Sequence, residues 1–566
     1  MKIAFVNTGR YTGNQGIKSF SDPIHLVAMH NLCKEAGHQS RIFQLGYPTP
    51  EQSIEQIVTF GPQVLGLSFL APRKDDIELV GALMRPFQKK GVHLYFGGPD
   101  VSFDRKFYAT RFSWESPENW GSITLVQGDG EHLINAIIPY DFDLRHPKAR
   151  KALLEKGALV SEEDGIQFVG GLKPMKLDLQ GFERDYDITP FNGKLGAKWS
   201  TGCWAACDFC PNIPGRSDYK SPTRVREEVQ HLIDMGVQKI DVASPQFTAH
   251  PTKVAETLAA LPENTPEIFF SSRIDSLYHS INRHKDVWTT FAHATTHGIG
   301  LGVDSFIPER VLRLKKYHKM AQAKKQNEQL DAVLDFFEDT KVGIVFYLIP
   351  LDWEMHLDEV EYELEMALRY MNRYPNIIQV SPEILTTYVS PSVGSHYSSY
   401  MQPMDFLRFK KDPRLLLLLY SLYFMLDILY ETTEEFDEPF PLMEQAVTRS
   451  IARFGLECIR TIRKLPFEGM EIEHSLSLIK DVLDRIFVKE ELNFDSNEIL
   501  RRLLQEAPKK AENKMNKFLA RHEKKARKLL AKEYDQMLTL KALCKMRAQG
   551  KMSHEHVAKV MKRYQL

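Results

Sequence analysis

The stretch KWSTGCWAACDFCPNIPG, residues 198–215, carries three cysteines at the spacing C-x3-C-x2-C: Cys203, Cys207 and Cys210. They are half of the six cysteines in a chain of 566 residues. Three thiolates on one loop suit a [4Fe–4S] cluster, because such clusters are usually held by four cysteines and three would leave one iron open to a small molecule. Two alternatives stay open: a zinc site, for which a fourth nearby ligand is missing, and a purely structural role.

The bulk composition is that of a soluble globular protein with several domains: 43% of the residues are hydrophobic, 26% are charged, and the formal net charge is -1. A balance this close to neutral gives the whole chain no bias towards nucleic acid or anionic membranes. The N-terminal residues are too polar for a signal peptide, and the longest apolar run, residues 415–426, is too short to span a bilayer. We therefore expect a cytoplasmic protein without membrane segments, in which clustered cysteines hold metal more often than they form disulfides.

The first segment, residues 1–145, alternates β-type runs with amphipathic helical patterns. Five runs predict strands: KIAFVN (2–7), RIFQLG (41–46), VLGLSFL (64–70), HLYFGG (93–98) and ITLVQG (123–128). Strands that alternate with helices predict an open, doubly wound parallel sheet with helices on both faces. Such sheets bind ligands beyond the carboxyl ends of their strands, where this segment has glycine-rich loops.

The next segment, residues 196–400, repeats the alternation after a connector over residues 146–195, which contains a predicted small hairpin within residues 163–179. Six runs predict strands: AKWSTG (197–202), KIDVASP (239–245), EIFFSSR (267–273), IGLGVDSF (299–306), VGIVFYLIP (342–350) and NIIQVSPEI (376–384). Six βα units predict a partial barrel with its chemistry at the carboxyl ends of the strands. The last segment, residues 401–566, reads as helical, and its basic tail is either a solvated face or a patch that binds RNA or an acidic substrate.

The cysteine loop and the motifs after it resemble the radical S-adenosylmethionine (SAM) superfamily. An aromatic residue, Phe209, precedes the last cysteine of the loop. Three later stretches match the motifs after the third, fourth and sixth barrel strands: FFSSRIDSL (269–277), GLGVDSFIPERVLRLKKYHK (300–319) and TTYVSPSVGSHY (386–397). The resemblance implies that the open iron binds SAM, with Phe209, Ser272, Arg273, Gly302 and Asp304 around it. The sequence departs from the superfamily at Asp304, where glutamate is commoner, and at the second and fifth strands, which lack the usual G-G-E and Gly-x-Pro motifs.

The first segment resembles the cobalamin-binding domains that are fused to many radical SAM proteins, as in the class B methyltransferases. The stretch DPIHLVAMHNLCKEAGHQSRIFQLG (22–46) matches the entry motif of those domains. The resemblance implies a set of cobalamin contacts at the strand ends: Ser68, Gly97, Gly98, Asp100, Gly128, Gly130 and Glu131. A backbone without Cβ atoms can approach the corrin closely. There is no D-x-H-x-x-G motif, so we expect His25 to be a packing or capping residue, with an axial ligand to cobalt as the alternative.

Together the two resemblances imply a cobalamin-dependent radical SAM enzyme that methylates an unactivated carbon or phosphorus centre. The implied cofactors are a [4Fe–4S] cluster, SAM and cobalamin; the implied partners are a small-molecule or peptide substrate and an electron donor such as flavodoxin or ferredoxin. Three alternatives remain: a radical rearrangement or cyclisation on the same architecture, a non-radical methyl transfer, and an RNA-binding iron–sulfur protein. The other cysteines, Cys33, Cys458 and Cys544, are expected to be small buried apolar residues.

Overall fold

A computed structural model of the chain describes most residues up to 382 and single positions between 414 and 463. Within 1–382, the residues left undescribed are 9–10, 13–17, 20–21, 70–73, 88–90, 99–100, 102–119, 129, 172–174, 208, 211–216, 295–296, 350, 353 and 375–376. The predicted helical segment and its basic tail therefore lie almost wholly outside the described residues. So do Asp100 and the motif at 386–397.

The chain divides into two compact units. The first comprises Met1–Trp204, Asn212–Ser271 and Asn282–Thr296; the second comprises Ala205–Pro211, Ser272–Ile281 and His297–Leu566. Among the described residues, no helix has the length and apolar character needed to cross a membrane.

The first unit begins with a mixed α/β layer structure. Its strands are β1 Lys2–Asn7, β2 Tyr11–Thr12, β3 Lys18–Ser19, β4 Gln39–Gln44, β5 Val64–Ser68, β6 His93–Gly97, β7 Ser122–Val126, β8 Leu159–Glu163 and β9 Ile166–Gly170. Its helices are α1 Ile24–Glu35, α2 Pro50–Phe60, α3 Lys74–Met84, α4 Glu131–Ile137 and α5 Pro147–Glu155. Seven strands form one sheet in the order β4-β1-β5-β6-β7-β9-β8, and the pairs are parallel except for β8 with β9. All five predicted strands are present.

The sheet is covered on both faces, which confirms the doubly wound arrangement. Successive residues of β1 alternate between two apolar clusters, because side chains of a strand point to opposite faces in turn. One cluster contains side chains of α2 and α3, and the other contains side chains of α1, α4 and α5. Burial on both faces explains why the strands read as continuous apolar runs, such as the fully buried β5.

Two details differ from the sequence prediction. The hairpin predicted in the connector is present, but its second strand, β9, pairs with β7 and so extends the sheet from five strands to seven. The first barrel strand was predicted over 197–202, yet it spans Lys194–Ala197, in register with Lys239–Val242 of its neighbour. The residues after Ala197 leave that ladder because Ser200 and Thr201 pair antiparallel with a different short strand.

Six further parallel strands alternate with helices along the chain. The strands of this part are β10 Lys194–Ala197, β11 Ser200–Thr201, β12 Asp218–Tyr219, β13 Lys239–Val242, β14 Glu267–Arg273, β15 His297–Asp304, β16 Val342–Leu348 and β17 Ile377–Pro382. The helices are α6 Pro222–Asp234, α7 Pro251–Ala259, α8 Ile274–Arg283, α9 Lys285–Ala294, α10 Pro308–Arg313, α11 Met320–Phe337 and α12 Leu357–Arg373. In the first unit, β13 lies between β10 and β14; in the second, β16 lies between β15 and β17.

Candidate cofactor sites

Cys203 lies in the first unit, directly after the short strand β11. Its Sγ donates a hydrogen bond to Oε1 of the buried Gln246, at 3.1 Å. Gln246 follows β13, in the stretch where many radical SAM proteins have G-G-E. The contact shows that the loop after the second barrel strand reaches the sulfur of the first cysteine, which the sequence did not predict.

Cys207 and Cys210 lie in the second unit and are joined by a tight turn, in which the backbone N–H of Cys210 donates to the carbonyl of Cys207 at 3.1 Å. Both side chains are partly exposed. Among the described cysteines, the three of the loop form no disulfide bond, and neither do Cys33 and Cys458. Phe209 packs against Leu314 and Ile349. The aromatic residue of the motif therefore fixes this part of the loop to an apolar cluster.

A positive group faces the sulfur of Cys207. The Nη1 of Arg273, at the carboxyl end of β14, lies 3.8 Å from the Cys207 Sγ as a hydrogen-bond donor. Burial raises the pKa of the Cys207 thiol to about 12, and the guanidinium of Arg273 and the ammonium of Lys316 oppose that rise. Cations beside a buried thiol favour its thiolate, which is the form that binds metal.

Asp304 is the last residue of β15 and lies in the second unit, as do Arg273 and Cys207. Asp304 has a left-handed backbone conformation, with φ of 59°, and its Oδ2 lies 2.8 Å from the Nζ of Lys316. Lys316 also donates to the backbone carbonyls of Gly302 and Val303. Ser272 is buried, and its hydroxyl donates to the Arg273 carbonyl at 2.9 Å. The structure thus places the predicted residues Ser272, Arg273 and Asp304 at the ends of β14 and β15.

Sequence reasoning missed three residues of this arrangement: Asp275, Lys316 and Tyr317. Asp275 forms a two-bonded ion pair with Arg273, and the Tyr317 ring lies 5.0 Å from the guanidinium carbon. Asp275 was visible as the third position of the R-x-D pattern. Lys316 and Tyr317 stand in the quoted stretch 300–319, but nothing in their spacing shows which groups they contact.

The ligand types of the cysteine loop fit an iron–sulfur cluster. Within the part of the chain that the structure describes, no group of three cysteine, histidine or carboxylate side chains is spaced to hold a metal ion. The chemistry of the loop nevertheless suits a cluster, because it supplies three thiols that form no disulfide, one beside a guanidinium and one beside an amide.

The carboxyl edge of the first sheet contains an orphaned polar atom that fits a bound ligand. The hydroxyl of Ser68, at the end of β5, is buried and has no hydrogen-bond partner among the described residues. Its own carbonyl accepts from the Thr8 hydroxyl at 2.6 Å. Gly128 has φ of +92°, and an added Cβ would meet no atom within 4 Å. An unsatisfied hydroxyl and an open glycine at the same edge of one sheet suit the approach of an elongated polar cofactor such as cobalamin.

The other predicted glycines have different surroundings. A Cβ on Gly98, whose φ is +101°, would lie 2.4 Å from the carbonyl oxygen of Phe69, so the fold itself requires glycine there. Gly97 has ordinary room, with Val126 at 3.8 Å from an added Cβ, and Gly130 faces only the flexible Met29 side chain. Glu131 is buried at the start of α4, with its Oε1 3.9 Å from the Nζ of Lys198.

Asp22 and His25 lie at the start of α1 and have different surroundings. The Asp22 carboxylate accepts hydrogen bonds from the Gly196 backbone N–H at 2.8 Å, the Tyr186 hydroxyl at 2.5 Å and Arg184 Nη2 at 3.4 Å. Burial, with a smaller contribution from nearby Lys198, lowers the pKa of His25 to about 4, so its imidazole is neutral. Its Nε2 is shielded from solvent and has no partner among the described residues. Asp22 is thus bonded to the barrel strand β10 rather than to His25.

Comparison with known proteins shows which class of structures shares this fold. No protein-family model matches the sequence, and no curated protein sequence matches it either. The chain has the fold of cobalamin-dependent radical SAM enzymes. The resemblance seen in the sequence is therefore confirmed at the level of the fold.

Two solved structures show the similarity in fold. One is the cobalamin-dependent SAM radical enzyme OxsB with aqua-cobalamin bound; the TM-score is 0.55 at 15% identity, over 100% of this chain and 83% of that one. The other is the radical SAM methyltransferase TsrM from Kitasatospora setae with cobalamin and a [4Fe–4S] cluster bound; the TM-score is 0.52 at 12% identity, over 70% of this chain and 76% of that one.

Proposed function

We propose that the protein is a cobalamin-dependent radical SAM enzyme that methylates an unactivated carbon or phosphorus centre. One observation carries the proposal: a C-x3-C-x2-C loop whose cysteines form no disulfide, with one sulfur facing a buried arginine, occurs in a chain that shares its fold with OxsB and TsrM. A cytoplasmic location, an electron donor of the flavodoxin or ferredoxin type and a small-molecule or peptide substrate belong to the same proposal.

The residues divide into three roles. Cys203, Cys207 and Cys210 hold the [4Fe–4S] cluster. The ends of β14 and β15 orient SAM, and the carboxyl edge of the first sheet, with the orphaned Ser68 hydroxyl, holds cobalamin. When bound, these groups would supply a 5′-deoxyadenosyl radical and a transferable methyl group. Lys316 keeps the Asp304 carboxylate in one position, and Arg273 directs a positive group at the sulfur of Cys207.

The first test concerns the cluster. Protein purified without oxygen and reconstituted with iron and sulfide should hold about four of each per chain. Cys207→Ala should lose the brown chromophore, because it removes one of three thiolate ligands. Cys33→Ala is the matched control: Cys33 is fully buried in the core beneath the first sheet, and this variant should keep its iron. One zinc per chain in place of iron would contradict the assignment.

The second test concerns the chemistry. With dithionite as reductant and SAM as the only substrate, the reconstituted protein should release 5′-deoxyadenosine, and with hydroxocobalamin it should retain about one corrinoid per chain after desalting. S-adenosylhomocysteine formed with methylated cobalamin would mark methyl transfer. Cleavage of SAM without any corrinoid retention would favour a cobalamin-independent radical SAM enzyme. A salt-dependent affinity for RNA without SAM cleavage would favour the RNA-binding alternative.

A further inference from the structure

Arg273 is held in one orientation by contacts on several sides. Its Nε and Nη2 donate to the two carboxylate oxygens of Asp275, at 3.1 and 3.2 Å. Nη2 also donates to the backbone carbonyl of Lys316 at 3.1 Å, and the guanidinium carbon lies 5.0 Å from the centre of the Tyr317 ring. The side chain is nine-tenths buried, with 9% of its surface exposed. A guanidinium bound in this way has little freedom to turn.

These contacts determine which edge of the guanidinium faces the cysteine loop. The forked edge formed by Nε and Nη2 is already occupied by Asp275, so Arg273 does not offer that edge to a further carboxylate. The remaining nitrogen, Nη1, lies 3.8 Å from the sulfur of Cys207. Nη1 of Arg273 thus faces a sulfur that would be a ligand of the cluster.

We propose that Arg273 is a positioning residue whose positive charge, directed at the sulfur of Cys207, sets the reduction potential of the cluster. The inference rests on the proposed function, since it requires a bound cluster. A positive charge and a hydrogen bond at a ligand sulfur stabilise the more negative, reduced form, so they raise the potential. The step concerned is the gain of one electron by the cluster, which no bond change accompanies; dithionite supplies the electron in the experiment.

The experiment measures the midpoint potential of the reconstituted full-length protein, without SAM, by electron paramagnetic resonance during a dithionite titration. Arg273→Met should keep its iron but lower the potential. At the wild-type midpoint, the ratio of reduced to oxidised cluster should fall about tenfold, which is 59 mV for one electron. Arg273→Lys keeps the charge without the fork and should fall between the two.

Asp275→Asn should shift the reduction potential in the opposite direction, upwards, because it removes a negative charge from the pair. If the Arg273–Asp275 pair had only a folding role, Arg273→Met and Asp275→Asn would show the same defect. Arg313→Met is the control, because it removes a guanidinium from an ion pair with Glu359 in which Arg313 is partly exposed. It should leave the potential unchanged.

The outcomes separate this inference from the proposed function. If wild type binds no iron, the proposed function fails. If wild type binds the cluster and Arg273→Met keeps it at an unchanged potential, the inference is overturned and the proposed function stands. If Arg273→Met loses its iron, Asp275→Asn decides, and a potential that stays constant or falls overturns the inference. A change in SAM affinity without a change in potential would assign Arg273 to the SAM carboxylate instead.

Discussion

Individual glycines at the carboxyl edge of the first sheet serve different purposes. Gly98 is required by its own backbone, because an added Cβ would collide with the Phe69 carbonyl. Gly97 has no such neighbour and no positive φ, so the fold has room for a side chain there, whereas Gly128 has open space but a φ of +92° that strains any other residue. Glycine is therefore required by the fold at Gly98, whereas at Gly97 it is a candidate contact for a bound ligand.

This difference gives a prediction for single substitutions. Gly98→Ala should lower the free energy of unfolding by more than about 1 kcal/mol, because alanine is incompatible with this positive φ and has no room. Gly97→Val should leave stability within about 1 kcal/mol, since valine suits a strand and an added Cβ at this position has ordinary contacts. Gly97→Val should nevertheless retain much less hydroxocobalamin after desalting.

The measurements are urea unfolding followed by circular dichroism, and corrinoid content by absorbance. Iron content is the internal control, because the cysteine loop carries the cluster ligands and is far from residue 97 in the sequence. Full corrinoid retention by Gly97→Val would show that this strand end is not the cobalamin surface.

At the scale of elements, the end of β15 is an irregular strand end held by side chains. The pairing of β15 with β16 shifts register between Gly302 and Asp304, so several carbonyls leave the ladder. Lys316 donates to the carbonyls of Gly302 and Val303, and the buried Gln326 donates to the carbonyls of Val303 and Ser305. Backbone carbonyls that leave a sheet need such donors when they are buried. The site at this strand end is therefore built by the segment that follows it, with Lys316 in the loop before α11 and Gln326 on α11.

A buried ion network supports the same strand end. Arg310, on α10, is fully buried and donates to Asp352 at 2.9 and 3.1 Å and to Glu363 at 3.3 Å. Glu363 in turn accepts from the Ser305 hydroxyl and the Phe306 backbone N–H. The network joins α10 and α12 to the residues directly after Asp304.

Removing the arginine should therefore have a large effect on stability. Arg310→Met should lower the free energy of unfolding by about 3–5 kcal/mol, because it leaves two buried carboxylates without their cation. Arg313→Met on the same helix should cost less than about 1 kcal/mol, since its ion pair is partly exposed. Chemical denaturation of the two variants beside wild type measures both values. Equal losses would mean that the buried network contributes no more to the free energy of unfolding than the exposed ion pair does.

At the scale of the whole molecule, both units contain a histidine that burial keeps neutral. Burial lowers the pKa of His297, at the start of β15, to about 4, as it does for His25 in the first unit. The unfolded chain binds protons at these histidines near pH 6.5, whereas the folded chain binds them only near pH 4. Between those values the unfolded state holds more protons, so stability falls as the pH falls.

The pH dependence can be traced to one residue. For His297 the loss should reach about 2 kcal/mol at pH 5 relative to pH 7, and it should be nearly complete once the pH reaches 4. His297→Gln should unfold with a shallower dependence on pH over the same range. The urea midpoint measured from pH 7 to pH 5 tests this. Parallel curves for wild type and variant would show that His297 does not contribute.

The amino-acid sequence by itself determined the strand and helix alternation, the sheet buried on both faces and the position of the cysteine loop. All of these depend on local patterns: apolar runs, helical periodicity and the spacing of three cysteines within one loop. The sequence also located the motifs at 269–277 and 300–319, since their residue types stand at fixed offsets.

Only the tertiary structure decided which distant groups meet. The Gly196 N–H donates to Asp22 across 174 positions of sequence, and Arg273 reaches the Cys207 sulfur across 66. The pairing of the connector hairpin with the first sheet and the ion pair between Lys316 and Asp304 also follow from the tertiary structure alone. A charged or hydrogen-bonding side chain carries no local sign of its partner, because that partner is chosen by the geometry of packed elements and by the free-energy cost of leaving a buried polar group unpaired.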